Sequence, residues 1–196
     1  MADRVNDSDA AQHNNYRSIE DDKLLNLIGD KKDRMALTEL YERYQRPVRN
    51  FLLRGMREVK LIDEVYNDVM LTIWHKANSF RGESKVSTWI FSIAYRQRMA
   101  HSRKESKHAQ LSAVEQQLEF ETDSHVSQAE TLQAAMAELS EHHRAVIELM
   151  YFHGYSTSEI GVILACPQNT VKTRLFHARK KLKATLEVGY SMLGAH

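Results

Sequence analysis

A single cysteine, Cys166, stands among the 196 residues. An internal disulfide is therefore excluded, and the chain fits a reducing compartment. No apolar run approaches the ~20 residues that cross a bilayer, which predicts no membrane insertion. Met1 to Arg17 is polar and partly acidic and lacks the apolar stretch of a signal peptide, so a cytoplasmic protein with a flexible tail over 1–17 is expected. No segment alternates apolar and polar residues as a half-buried strand does, and no internal repeat is present. HExxH, a nucleophile elbow and a phosphate-binding glycine loop are all missing. The ten histidines include the neighbours His142 and His143, with His153 and Cys166 further on. Adjacent histidines on a helix diverge by about 100°, and the spacing fits no ligand motif. No catalysis, no metal and no cofactor are expected.

The charge balance is close to neutral, at +1, but the two signs are segregated along the chain. Between Ala109 and His143 there is no Lys or Arg, whereas Glu115, Glu119, Glu121, Asp123, Glu130, Glu138 and Glu141 all fall there. From Pro167 to Leu186 the pattern inverts: Lys172, Arg174, Arg179, Lys180, Lys181 and Lys183 occur with no carboxylate. A local field of that kind draws phosphates.

What is present is helical periodicity. Ser18 with Asp21 predicts the start of a short helix bearing Leu24, Leu25, Leu27 and Ile28, and Asp33 the start of a longer one with Leu40, Tyr44, Val48 and Phe51 on its apolar side. Pro47 lies inside the second and should kink or divide it. Leu61 to Asn78 forms a third helix, with Val65, Val69, Ile73 and Trp74 inward and Asp63, Glu64, Asn67 and Asp68 on another face. Phe80 to Ser87 reads as a loop from its Gly and Ser content. A helix from about Ser87 then turns Trp89, Ile90, Ile93 and Ala94 to the core and supplies a basic exit in Arg96, Arg98, Arg103, Lys104 and Lys107. Gln110 to Gln128 has weak periodicity and reads as a linker. Packing resumes from Ala129, with Gly154 as a helix terminator. The expected fold is all-α: a tail over 1–17, a helical domain over 18–108, a flexible acidic linker over 109–128, and a second small helical domain over 129–196.

The stretch Tyr155–Leu186 organises that second domain. Ser156 and Glu159 form a capping box, so a helix starts at Ser156. Pro167 suits the first turn of a new helix. Along it Val171, Leu175, Ala178, Leu182 and Leu186 make an apolar back, leaving Lys172, Thr173, Phe176, His177 and Lys180 on or near the opposite side. A helix-turn-helix follows, its second helix shaped for the major groove. The residues alone also admit an amphipathic hairpin whose basic face is merely solvated.

Two blocks, FRGESKVSTWIFSIA and GYSTSEIGVILACPQNTVKTRLFHARKKL, resemble the conserved segments of bacterial extracytoplasmic-function sigma factors, and the likeness runs from about Ser18 to Leu186. The resemblance implies a non-catalytic specificity subunit whose partners are core RNA polymerase, promoter DNA and an anti-sigma factor. It implies polymerase docking through Asp63, Glu64, Asn67 and Asp68. Phe80, Arg81, Gly82, Glu83, Ser84, Lys85, Val86 and Ser87, with Arg96, would meet the minus-ten element, whose flipped base must regain its lost stacking in a pocket. In the minus-thirty-five reader, Lys172, Thr173, Phe176 and His177 would face the groove, while Arg174, Arg179 and Lys180 would grip phosphate. Trp89 is expected to be core. Three departures from the family pattern are Leu61-Ile62 with Asn67 in the docking helix, Arg96 in place of a frequent asparagine, and Ala165 in place of a turn glycine, which requires a backbone conformation that alanine tolerates. A free-standing helix-turn-helix regulator and a metal-dependent hydrolase are the competing readings.

Overall fold

The computed structural model describes residues 15–56, 58–111 and 128–193. They fall into two compact units, residues up to 101 with 162–164, and residues 102–161 with 165–196. Among the described residues every regular element is helical. Most of the expected tail (1–14) and most of the expected linker (112–127) lie outside the described residues.

In the first unit α1 spans Asp21–Lys31 and α2 spans Arg34–Gly55. Asp33 caps α2, its carboxylate accepting from the amides of Met35 and Ala36, as the sequence predicts. Ser18 does not cap α1: its hydroxyl donates to the Asn15 carbonyl, and Glu20 holds the cap position without a side-chain bond. Helix α2 is also not divided at Pro47. A helix can carry an internal proline where tertiary packing outweighs the lost bond, and here Tyr44, Val48, Phe51 and Leu52 on either side are buried. Arg43 ties the start of the unit together. It donates to Glu39 and Asp21 at 2.6 Å each, and to the carbonyls of Tyr16, Arg17 and Ile19.

Helix α3 covers Ile62–Lys76 and continues into a 3-10 turn over Ala77–Ser79. Helix α4 runs from Val86 to Leu111. The core is filled by Leu24, Leu25, Ile28, Leu40, Phe51, Val65, Tyr66, Val69, Ile73, Ile90 and Ala94, all fully buried. Burial and the neighbouring Tyr41 raise the Tyr66 hydroxyl well above its ordinary value, and it donates to the Tyr41 carbonyl at 2.5 Å. Arg98 departs most from expectation. Read as part of a basic exit, it is instead completely buried, with its guanidinium 4.5 Å from the Phe51 ring centre and Nη1 donating to the Phe51 carbonyl at 3.0 Å. Gly55 makes room for it, since a Cβ there would lie 2.0 Å from the guanidinium carbon. The apolar stripe Ile90–Ala94 reaches position 98 after one further turn, so the helix delivers Arg98 to the core whatever its charge.

The second unit contains α5 (Gln128–Ala137), α6 (Glu141–Ile147), all but the last two residues of α7 (Thr157–Ile163), and α8 (Gln168–Leu193). A π-helical turn over Glu148–Phe152 extends α6. It ends where Gly154 takes φ +72° and the Tyr155 amide reaches back to the Leu149 carbonyl at 3.0 Å. Arg144 holds α5 to α6 by donating to the carbonyls of Met136, Ala137 and Leu139. Val146, Leu149, Ile160, Val171, Leu175 and Ala178 are buried at the centre.

Candidate nucleic-acid and polymerase interfaces

On α3 the side chains of Asp63, Glu64 and Asn67 are exposed and Asp68 is half-buried. Positions 63, 67 and 64, 68 are one turn apart, so the four form a single ridge. Two of them lean on α2: Arg49 pairs with Asp63, and Tyr41 donates to the Asn67 amide oxygen at 3.4 Å. An exposed pair of this type is worth about 0–1 kcal/mol. Among the described residues Glu64 has no ion-pair partner. The helix turns the ridge outward because Ile62, Val65, Tyr66 and Val69 are all buried on the other side.

The segment after α3 is an open loop. Arg81, Gly82, Glu83 and Lys85 are exposed, and Ser84 is half-buried. Gly82 takes φ +71°, a conformation that favours glycine, with nothing within 4 Å of where a Cβ would stand. The loop ends earlier than the sequence suggests. Helix α4 begins at Val86, which is buried, and Ser87 lies in its first turn. Val86 therefore anchors the loop rather than lining it. Trp89 is only half-buried, contrary to the core role expected of it, and meets Phe80 edge-on at 5.7 Å between ring centres. Arg96, exposed, lies seven residues beyond Trp89 and so within about 20° of it around the helix. Phe80, Trp89 and Arg96 thus follow one flank of α4 from the loop, an aromatic pair continued by a cation.

In the second unit the capping box forms as predicted: the Ser156 amide donates to the Glu159 carboxylate at 2.9 Å and the Glu159 amide to Ser156 Oγ at 3.3 Å. The turn that follows is tight. Ala165 takes φ +50°, in the left-handed region, so the turn keeps the conformation a glycine would supply and alanine carries its steric cost. Gly161 was not singled out by the sequence, yet a Cβ there would come within 2.9 Å of the Cys166 carbonyl oxygen. Gln168 Nε2 donates to Thr157 Oγ1 at 2.8 Å and joins the two helices of the motif.

Along α8, Lys172, Thr173, Phe176, His177, Arg179 and Lys180 are exposed, and Arg174 is half-buried. Phe176 is 65% exposed, an uncommon placement for a large aromatic that has no partner surface. Thr173 donates its hydroxyl to the Asn169 carbonyl at 3.0 Å. Asn169, also exposed and one turn before Thr173, belongs to the same front although the sequence reading omitted it. Arg174 and Arg179 flank the front. Arg174 turns toward Cys166, its Nη1 3.7 Å from Sγ, whereas Arg179 borders an apolar groove with Leu132, Met136, Ile147, Tyr151 and Leu182. A helix with outward side chains in the middle and a guanidinium on each edge can read base edges while its flanks hold phosphates. Among the described residues no group of His, Cys, Asp and Glu is placed to hold a metal ion.

This geometry is that of a transcription-initiation factor of the sigma-70 class, and two family models match it: Sigma-70 region 2 over residues 40–108 and Sigma-70 region 4 over residues 129–182. The chain is 30% identical over 170 residues to the ECF RNA polymerase sigma factor RpoE of Cereibacter sphaeroides, covering 82% of this chain and 91% of that one. It is 27% identical over 163 residues to the RNA polymerase sigma factor YlaC of Bacillus subtilis, covering 79% of this chain and 94% of that one. Among solved structures, the sigma factor RpoE of Bartonella quintana, in complex with the anti-sigma factor NepR, matches with a TM-score of 0.64 at 22% identity, covering 77% of this chain and 96% of that one. The chain belongs to the ECF group of RNA polymerase sigma factors. It is an alternative sigma factor, which binds core RNA polymerase and recognises promoters.

Proposed function

We propose that two domains divide the work of promoter recognition, residues 18–108 and residues 129–196, with 109–128 as the acidic connector between them. The ridge of Asp63, Glu64, Asn67 and Asp68 docks on core polymerase. Carboxylates there suit charge-assisted bonds to arginine, which orient a partner and speed its encounter. The loop from Phe80 to Lys85 takes a base flipped from the minus-ten element. Phe80 and Trp89 offer stacking, and Arg81, Ser84, Lys85 and Arg96 offer donors. The front of α8 reads the minus-thirty-five element, with Lys172 donating to guanine edges and Phe176 meeting thymine methyls. An anti-sigma protein that masks these faces is the expected regulator, by analogy with the complex of the Bartonella quintana relative. No catalytic step is assigned to any residue, and the cytoplasm is the compartment in which these partners would be met.

The observation that carries this reading is the joint presence, in one chain, of an exposed basic helix-turn-helix front and, in the other unit, an acidic ridge and an open loop. A free-standing repressor has use for the first alone. The test is capture of core polymerase by the protein carrying Asp63→Lys and Glu64→Lys. Capture should be lost while the helical circular-dichroism signal stays at the wild-type level; undiminished capture would move docking to another surface.

A further inference from the structure

Beside the reading front, two imidazoles from different helices face each other. His143 on α6 and His177 on α8 have ring centres 6.4 Å apart at an interplanar angle of 34°. His177 also meets Phe176 edge-on at 5.4 Å, which joins the pair to the front itself. The surroundings are cationic. Arg174 and Lys181 lie on the same edge of α8, one turn to either side of His177, and both raise the cost of charging His143. Two carboxylates nearby have partners of their own: Glu141 lies 3.6 Å from Arg144, and the Glu138 carboxylate accepts from Thr185 at 3.1 Å. Lys181 donates to the Glu138 carbonyl, which fixes it at this edge. His142, next on α6, is influenced by Arg174, Glu141 and Arg103. The groups around the pair from α5, α6 and α8 are therefore Glu138, Glu141, His142, Arg144, Arg174 and Lys181, and the sum is positive.

Such a cluster repels cations and attracts anions. We propose that His143 and His177, between Arg174 and Lys181, form a phosphodiester site at the edge of α8 that takes up a proton when promoter duplex binds. The proposal rests on the reading of α8 as the minus-thirty-five helix. In the free protein, burial first, and then His177, Arg174, His142 and Lys181, hold the His143 imidazole below its ordinary value. The neutral imidazole is therefore favoured in the free protein. A phosphate at the edge reverses the field and favours the imidazolium, so binding and protonation reinforce each other. The site would add to the arginine contacts an affinity that strengthens as pH falls.

The test uses the full chain assembled with core polymerase, and a promoter duplex carrying the upstream element. Dissociation constants are measured at fixed salt at pH 6.0 and pH 8.0 for the wild type, His143→Gln, His177→Gln and His143→Lys. The wild type should bind about tenfold more tightly at the lower pH, the limit for one linked proton per pH unit of separation between free and bound values. In His143→Gln and His177→Gln that ratio should fall toward one, and His143→Lys should bind at pH 8.0 as the wild type does at pH 6.0. His177 is exposed, so its replacement keeps the test independent of folding. An unchanged pH ratio in both glutamine variants would overturn the proposal while leaving promoter recognition intact. Absence of sigma-dependent promoter binding at either pH would instead remove the reading of α8, and the proposal with it.

Discussion

Replacing Arg98 separates a core cation from a nucleic-acid contact, because the two roles predict opposite results. Its guanidinium is fully buried, 4.5 Å from the Phe51 ring centre, and it holds the Phe51 carbonyl near the end of α2. Arg98→Ala removes the stacking, worth about 1–2 kcal/mol when desolvated. It also removes a charged hydrogen bond worth about 1.5–3 kcal/mol. The relief of a buried charge offsets part of this, so a net loss of about 2–3 kcal/mol is expected. Arg98→Met restores the volume without the charge and should recover most of it. The two tryptophans of the chain are Trp74 and Trp89, and both lie in the first unit. Their fluorescence therefore follows this unit's unfolding without interference from the second. For a unit of this size, 2–3 kcal/mol lowers the melting midpoint by roughly 10–20 °C. A midpoint unchanged in Arg98→Ala, with promoter opening impaired, would refute the core role and return Arg98 to the basic surface.

Three further outcomes are expected. Ser156→Ala breaks the capping box at the start of α7 and should cost about 1 kcal/mol in the second unit, seen as an earlier thermal transition in circular dichroism. Ala165→Gly removes a left-handed strain at φ +50° and should raise the same transition by up to about 1 kcal/mol; a lower midpoint would show that the turn is not strained. Acidification should weaken the free second unit. His142 and His143 are both held below their ordinary value in the folded state, chiefly by burial, so folding favours their neutral forms. That stability is complete above the unfolded value near 6.5 and is lost as pH falls below it, and urea titrations at pH 7.5 and 5.5 report the difference.

How much of this was legible follows from what each residue depends on. Asp33, Ser156 with Glu159, and Gly154 act through backbone groups within a few positions of themselves, so their roles can be read from local spacing. Ser18 has an alternative backbone partner in Asn15, and spacing does not choose between the two. Arg98 was misread because charge was given precedence over its place in the Ile90–Ala94 stripe; the stripe and the glycine at 55 were the available signals. Trp89 failed in the opposite sense. It lies at the margin of the apolar stripe, and the loop supplies Phe80 as a neighbour, which no helical periodicity could show. The front of α8 was legible because six cations and no carboxylate fall between Pro167 and Leu186, on a helix whose apolar back is regular. The pairing of His143 with His177 was not, because it is made between helices 34 positions apart.

The most direct test of the division of promoter recognition is transcription of fragmented genomic DNA by core RNA polymerase with and without this protein, with the RNA 5′ ends sequenced. New start sites that share an upstream pair of elements are predicted, with the upstream element losing one preferred base pair when Lys172→Ala is used. A loss of about 1–3 kcal/mol at that base pair, and little elsewhere, would fit a groove contact. Start sites that depend on the protein but keep the same element preferences in Lys172→Ala, Phe176→Ala and Arg96→Ala would contradict the assignment of the reading surfaces.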